Sequence, residues 1–151
     1  MNMLTEAAVY RSTDNAIHLM MRSNTQYLWV TTSRDNGKTW GDIYPTNFTD
    51  DCQKFDFLHL PDGRILYIGT PGYTGYNFRM PLVAAISSDG YNFDKQYIIG
   101  NQPYEAQKGA ASKLGNYSYP SAMIKGDYVY VIYAKQKEII EVTSFKWTDL
   151  K

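Results

Sequence analysis

The sequence predicts an all-β chain built from repeated four-stranded units, and three observations support this. Short segments that mix apolar and polar residues follow one another along 151 residues, and turn residues separate them. Two of the turns share a Ser-x-Asp pattern, around Asp35 and Asp89, about 54 residues apart, which is close to the 40 to 50 residues of many repeated β-units. No stretch of any length has helical periodicity.

The first of these turns lies in the segment Ser33–Trp40, Ser-Arg-Asp-Asn-Gly-Lys-Thr-Trp. Asp35-Asn36-Gly37 predicts a tight hairpin turn, because Gly and Asn tolerate positive φ and an Asp side chain can accept hydrogen bonds from the turn backbone. We expect the large aromatic residue after the turn, Trp40, to fold back under the hairpin and bury its ring.

Strands are predicted on both sides of each turn. The first unit comprises Ala7–Arg11, Ile17–Arg22, Tyr27–Ser33 and a return strand over Gly41–Tyr44 that ends at Pro45. The second comprises Lys54–Leu60, Arg64–Gly69, Leu82–Ser88 and Gln96–Ile99, with a long loop over Thr70–Phe78 and a shortened turn pattern over Ser87–Phe93. The third follows the loop Gly100–Tyr119 and comprises Ser121–Ile124, Tyr128–Ala134 and Ile139–Ser144.

The pattern Ser-x-Asp-x-Gly-x-Thr-Trp resembles the Asp box of the bacterial neuraminidase repeat, which implies a hairpin between the third and fourth strands of a β-propeller blade. In that family Asp boxes are structural, so we expect Ser33, Asp35, Gly37 and Trp40 to stabilise the hairpin and to take no part in ligand binding. The resemblance implies one partial sialidase-like propeller domain over residues 1–151, with blades at about 6–50, 51–100 and 101–151.

Three blades are too few to close a ring, because propellers typically have 4 to 8. The sequence therefore predicts half of a six-bladed propeller, with exposed apolar surface on the outer faces of the first and last blades. We expect those faces to be covered by the missing half of the propeller or by a second copy of the chain.

Composition excludes several other classes of function. The 15 basic and 15 acidic residues cancel, so net charge indicates neither nucleic acid nor an anionic membrane as a partner. Cys52 is the single cysteine, which rules out an intrachain disulfide, and no metal site or cofactor is predicted. Met1–Thr5 does not form a signal peptide, so the compartment is not specified; a secreted or periplasmic location is compatible if a signal peptide was removed.

Five residues at strand ends and in the long loops are candidates for a pocket: Glu6, Arg22, Arg79, Tyr117 and Tyr119. Two arginines suit an anion, because the planar guanidinium binds a carboxylate through two parallel hydrogen bonds. A phenol beside a glutamate supplies a possible nucleophile with its base. Asp50-Asp51 and Lys54 lie in the connection to the second unit; a place at the rim of the pocket is the alternative, but we expect a solvated loop.

In their order and spacing these residues resemble the C-terminal half of an exo-sialidase. The resemblance implies that Arg22 and Arg79 bind the carboxylate of a terminal acidic sugar, that Tyr119 is the nucleophile and that Glu6 is its base, with Tyr117 as the alternative phenol. It further implies a retaining glycoside hydrolase, or a fragment of one, in which the first arginine and the acid Asp belong to other blades. The alternative is a propeller of the same fold that binds a glycan without cleaving it.

Overall fold

The computed structural model describes residues 3–72, 78–107 and 115–151. These residues form 11 β-strands in three antiparallel sheets and one short 3-10 helix at Trp147–Asp149. Among them no helix has the length and apolar character needed to span a membrane. The predicted all-β fold class is confirmed.

The first sheet is a meander of four neighbouring strands. They are β1 (Leu4–Arg11), β2 (Ile17–Ser23), β3 (Tyr27–Ser33) and β4 (Tyr44–Thr49). The predicted bounds of the first three strands agree with the structure to within a few residues. The prediction for the fourth strand is wrong, because β4 continues through Pro45 instead of ending there. Proline is tolerated at this place since β4 is the edge strand and its outer side needs no backbone donor.

The second sheet also has four strands in chain order. They are β5 (Asp56–His59), β6 (Ile65–Gly69), β7 (Leu82–Ser87) and β8 (Lys95–Gly100). The third sheet contains three strands instead of four: β9 (Ser118–Lys125), β10 (Tyr128–Lys135) and β11 (Ile139–Lys146). The two predicted long loops fall partly at residues 73–77 and 108–114, which lie outside the described residues.

The core consists of two apolar layers, one on each side of the second sheet. Every residue of β6 and β7 is buried, because these central strands are covered on both faces. Alternate side chains serve the two layers. Tyr67 and Val83 pack toward the first sheet, whereas Leu66 and Leu82 pack toward the third.

The outer face of the third sheet stays exposed. Along β10, Val129 and Val131 are buried in the core, while Ile132, on the opposite face, is 45% exposed. Met123 of β9 and Val142 of β11 are 57% and 61% exposed. The expectation of exposed apolar surface on the last sheet is therefore confirmed.

The hairpin between β3 and β4 is built around one carboxylate. Asp35 Oδ1 accepts hydrogen bonds from the Ser33 hydroxyl (2.8 Å) and from the backbone N–H of Thr39 (2.8 Å), and Oδ2 accepts one from the Thr39 hydroxyl (2.6 Å). These bonds lower the pKa of Asp35 to about 2, with the Thr39 hydroxyl as the largest cause. Asn36 and Gly37 have the positive φ expected for the turn, 64° and 85°.

The hairpin between β7 and β8 repeats this arrangement. Asp89 Oδ1 accepts the backbone N–H groups of Tyr91 (2.7 Å) and Asn92 (3.0 Å) together with the Ser87 hydroxyl (2.9 Å). Its pKa is lowered to about 2, chiefly by the two backbone hydrogen bonds.

The aromatic residues of the two hairpins differ in their surroundings. Phe93 packs between the first two sheets, with ring centroids 5.6 Å from Phe48 and 6.0 Å from Tyr10. Trp40 is 43% exposed, so the prediction that its ring is buried under its own hairpin is wrong. Phe93 is covered by the preceding sheet of the chain, and no described sheet precedes the one that carries Trp40.

Candidate functional site

The site lies where the first strands of the three sheets begin. β1 contacts β5, and β5 contacts β9. Hydrogen bonds join these strands: the backbone N–H of Ala122 donates to Asp56 Oδ2 (2.9 Å), and that of Arg11 donates to His59 Nε2 (3.4 Å). The start of β1 carries Glu6, and the start of β9 carries Tyr119.

Glu6 and Arg22 form an ion pair. Glu6 Oε2 lies 3.2 Å from Arg22 Nε, because Arg22 pairs with Thr5 across the β1–β2 ladder. The guanidinium also donates from Nη1 to the carbonyl of Cys52 (2.9 Å) and from Nε to the Thr5 hydroxyl (3.1 Å). The Arg22 side chain is only 14% exposed, so several partners fix its direction.

Arg79 is held by its backbone and by its side chain. Its backbone N–H donates to the carboxylate of Asp51, and its guanidinium Nη1 donates to the Ser118 hydroxyl (2.9 Å). Gly115 packs directly against the side chain, since a Cβ at that position would overlap Arg79 Cδ. Arg79 Nε is buried and has no hydrogen-bond partner within the described part of the chain.

The two candidate tyrosines have opposite environments. Tyr117 is 1% exposed, and its hydroxyl exchanges hydrogen bonds with the backbone of Gln102 (2.9 and 3.3 Å). Tyr119 is 42% exposed at the start of β9. Residues two apart share one face of a regular strand, but Tyr119 has a positive φ of 54°, which interrupts the alternation at this point. We therefore do not retain Tyr117 as a ligand contact.

Three of the five candidate residues have left-handed backbone conformations. Glu6, Arg79 and Tyr119 have positive φ of 46°, 55° and 54°, and so does Cys52, at 50°, whose carbonyl accepts from Arg22. Residues other than Gly adopt this conformation rarely, and such strain persists where surrounding structure over-determines it, often at ligand sites.

Asp50 and Asp51 do not lie in a solvated loop, and that prediction is wrong. They are 2% and 0% exposed. Asp50 accepts the backbone N–H groups of Ser23 (3.2 Å) and Gln53 (3.3 Å). Burial raises the pKa of Asp50 to about 6, against the effect of these hydrogen bonds. Buried backbone donors need acceptors, and the two carboxylates supply them: Asp50 to Ser23 and Gln53, and Asp51 to Arg79.

Sequence reasoning missed Ser118 as a member of the site and set Asp51 aside in favour of a solvated loop. Asp51 orients the backbone of Arg79, and Ser118 binds its guanidinium. A signal for Ser118 is its place beside Tyr119, whereas Asp51 is recognisable only from contacts made between distant parts of the chain. Among the described residues, no group of His, Cys, Asp and Glu side chains could hold a metal ion.

Comparisons with known proteins agree with this architecture. Residues 2–131 match the family described as BNR repeat-like domain. No curated protein sequence matches the chain significantly.

Three solved structures resemble the chain in fold. A mutant of NanB sialidase from Streptococcus pneumoniae matches with a TM-score of 0.71 and 16% identity, over 97% of this chain and 24% of that one. The intramolecular trans-sialidase from Ruminococcus gnavus, in complex with oseltamivir carboxylate, gives 0.63 and 21%, over 97% and 33%. The α-L-arabinofuranosidase of Fusarium graminearum with arabinobiose gives 0.63 and 16%, over 98% and 46%.

The chain thus spans less than half the length of each of these structures. At these identities the likeness concerns the fold, and it confirms the predicted sheets of a sialidase-like propeller.

Proposed function

Because the chain belongs to the family of BNR repeat-like domains, we propose that it forms part of a sialidase-like glycoside hydrolase acting on terminal acidic sugars. Its fold relatives include sialidases and an arabinofuranosidase, which supports a carbohydrate-active propeller. The acidic sugar, the retaining mechanism and the roles of individual residues are our proposal.

One observation carries the proposal: a continuous series of contacts joins the four candidate residues. Glu6 pairs with Arg22, and Arg22 binds the carbonyl of Cys52. The neighbouring Asp51 holds the backbone of Arg79, whose guanidinium binds Ser118, the residue before Tyr119. This series of contacts between residues far apart in the sequence supports a common site, and so does the positive φ of Glu6, Arg79 and Tyr119.

The chemistry proposed for this arrangement has a physical basis. Arg22 and Arg79 would bind the sugar carboxylate, for which the guanidinium has the matching charge and geometry. A carboxylate nucleophile would be repelled by that anion, whereas the neutral phenol of Tyr119 would not, and sialidases are known exceptions to the use of two carboxylates. Tyr119 Oη would bond to the anomeric carbon while Glu6 accepts its proton and the bond to the leaving oxygen breaks. The acid that protonates this oxygen would come from another blade.

The test compares two variants in a protein in which further blades complete the ring. Tyr119→Phe removes one oxygen, so binding of N-acetylneuraminic acid should persist while hydrolysis of its fluorogenic glycoside falls by orders of magnitude. Arg79→Ala should also weaken binding, because a charge-assisted contact contributes about 1.5 to 3 kcal/mol. Full activity in Tyr119→Phe would refute the assigned role.

The second candidate function is glycan binding without cleavage. The described carboxylates near the arginines favour this alternative, because most of them cannot reach a substrate. Asp50 and Asp51 are buried and hydrogen-bonded, and of the three only Glu6 is accessible. Binding of N-acetylneuraminic acid that requires Arg79, without turnover of any glycoside by the unmutated protein, would establish this alternative.

We also propose that the two Ser-x-Asp hairpins are Asp boxes and that further antiparallel sheets cover the free faces. The position of Phe93, packed on the preceding sheet, supports this, because Trp40 occupies the matching place with no described sheet before it. These sheets would come from the rest of the propeller or from a second copy of the chain.

A further inference from the structure

A second cleft lies at the outer rim, between the edge strand of the first sheet and the second hairpin. Two adjoining cavities of about 300 Å³ and 280 Å³ form it, and both are lined by Met20, Thr46, Asn47 and Tyr91. Their combined size reaches the range of roughly 300 to 1,000 Å³ found for ligand pockets. Since both of its walls belong to sheets present in the chain, this cleft needs no further blade.

The walls combine exposed aromatic rings with side-chain amides and the carboxylate of Asp94. Tyr44 and Tyr91 are 52% and 47% exposed, and Phe93 packs beneath them in the core layer. Asn47 and Asp94 line the same cleft, and within the described residues their side chains make no hydrogen bond. Among the described residues, no lysine or arginine lines either cavity. The cleft therefore lacks the pair of arginines on which carboxylate binding is proposed at the other site.

The ring of Tyr91 is fixed before any ligand arrives. Its hydroxyl donates to Asp14 Oδ2 (2.9 Å) and accepts from Arg34 Nη2 (3.2 Å), and its ring meets that of His18 edge to face, at 4.9 Å between centroids. An aromatic side chain whose rotamer is already set loses little entropy when a ligand packs on it. Neighbouring polar contacts also fix the cleft floor, where the Thr46 hydroxyl donates to the carbonyl of Leu28 (2.8 Å).

These features match the chemistry of an uncharged sugar. A pyranose ring has apolar C–H faces that pack on an aromatic ring. The hydroxyl groups at its edge pair with side-chain amides, which donate and accept hydrogen bonds, and with carboxylates, which only accept them. An anionic sugar would be repelled by Asp94, and no lysine or arginine in the described lining offsets that repulsion. We infer that the cleft between Tyr44 and Tyr91 is an accessory binding site for neutral saccharide units of a glycan.

This site is separate from the proposed catalytic end. Neither Arg22 nor Arg79 lines the two cavities, and the nearest lining residue on β2, Met20, lies two residues from Arg22, or about 7 Å at 3.3 Å per residue. The inference does not rest on the proposed hydrolase activity. A glycan-binding rim is equally compatible with a propeller that cleaves nothing.

The test uses saturation-transfer NMR on the 151-residue chain, with lactose and arabinobiose as neutral probes and N-acetylneuraminic acid as the charged one. The method requires only micromolar protein and tolerates self-association. We expect a neutral probe to receive saturation on its ring protons. Tyr44→Ala should raise its dissociation constant at least about tenfold, and Asn47→Ala severalfold.

Two controls make the result specific. Tyr44→Phe keeps the ring and should retain most of the affinity, whereas Arg79→Ala, at the other end, should leave binding of the neutral probe unchanged. Circular dichroism checks that each variant folds. Because Tyr44 is exposed on an edge strand, its replacement should leave the fold intact. The inference is overturned if neither neutral probe binds. It is also overturned if Tyr44→Ala leaves binding of the neutral probe intact or if Arg79→Ala abolishes it. None of these outcomes depends on whether Tyr119 is a nucleophile.

Discussion

Replacement of the two hairpin aromatics by alanine tests how the sheets are covered. Phe93 packs against four aromatic rings of the layer between the first two sheets, with centroids 5.6 Å from Phe48, 5.7 Å from Phe57, 6.0 Å from Tyr10 and 6.5 Å from Tyr67. Removal of a fully buried Phe costs about 3 to 5 kcal/mol. Because Phe93 is partly exposed, we expect Phe93→Ala to lower the free energy of unfolding by about 2 to 3 kcal/mol.

Trp40 occupies the equivalent place in the first hairpin but is 43% exposed. Trp40→Ala should therefore cost about 1 kcal/mol or less in the same chain, close to the effect of a surface substitution. Urea unfolding followed by circular dichroism measures both variants under one set of conditions. A loss in Trp40→Ala equal to that in Phe93→Ala would refute the reasoning, since it would mean that the chain itself covers the tryptophan.

The same pair of variants reports on the proposed covering sheet. In a protein that contains a sheet before the first hairpin, Trp40 should be enclosed as Phe93 is. Its replacement should then cost about 3 kcal/mol or more, while the cost of Phe93→Ala stays as before. A small effect of Trp40→Ala in that longer protein would contradict the proposal that a preceding sheet covers Trp40 as the first sheet covers Phe93.

Three further predictions concern other parts of the molecule. Gly115→Ala should lower the free energy of unfolding by about 1 to 3 kcal/mol more than Gly63→Ala does. Both glycines have positive φ, but only a Cβ at position 115 would overlap Arg79. Equal losses of the two variants in denaturant unfolding would contradict this. As pH rises from about 4 to about 6, the folded chain retains the Asp50 proton that the unfolded chain releases. The free energy of unfolding of the wild type should therefore fall, relative to that of Asp50→Asn, by on the order of 3 kcal/mol. A difference between the two free energies that does not change with pH would argue against this. Light scattering should show self-association of the chain, and Ile132→Glu should reduce it; a wild-type monomer at high concentration would be incompatible with an uncovered outer sheet.

Much of the fold could be predicted from local sequence, because strands and tight turns depend on neighbouring residues. The alternation over Tyr128–Ala134 matches the observed strand, since period 2 places every second side chain in the core. The Asp35 turn is likewise local: every partner of its carboxylate lies within four residues along the chain. The return strand was misplaced because Pro45 is a breaker in a central strand and acceptable at an edge, and only the sheet order reveals which applies.

The candidate site was predictable as a set of residue types but not as an arrangement. Glu6, Arg22, Arg79 and Tyr119 were recognised through a resemblance, and their assigned roles remain proposals. The structure adds the ion pair of Glu6 with Arg22 and the support of Arg79 by Asp51, which joins residues 28 positions apart. Such contacts depend on the way three sheets meet, and no local pattern encodes them.

By itself the sequence determined the all-β class, the positions of most strands and the chemistry of both hairpin turns, because these follow from hydrophobic period and from hydrogen bonds among near neighbours. The tertiary structure decided which side of each strand is covered. It exposes Trp40 and encloses Phe93, buries Tyr117 and leaves Tyr119 accessible, and buries Asp50 in a connection that reads as polar. The burial of a residue depends on which sheet packs against it, and that sheet comes from a distant part of the chain or from another chain.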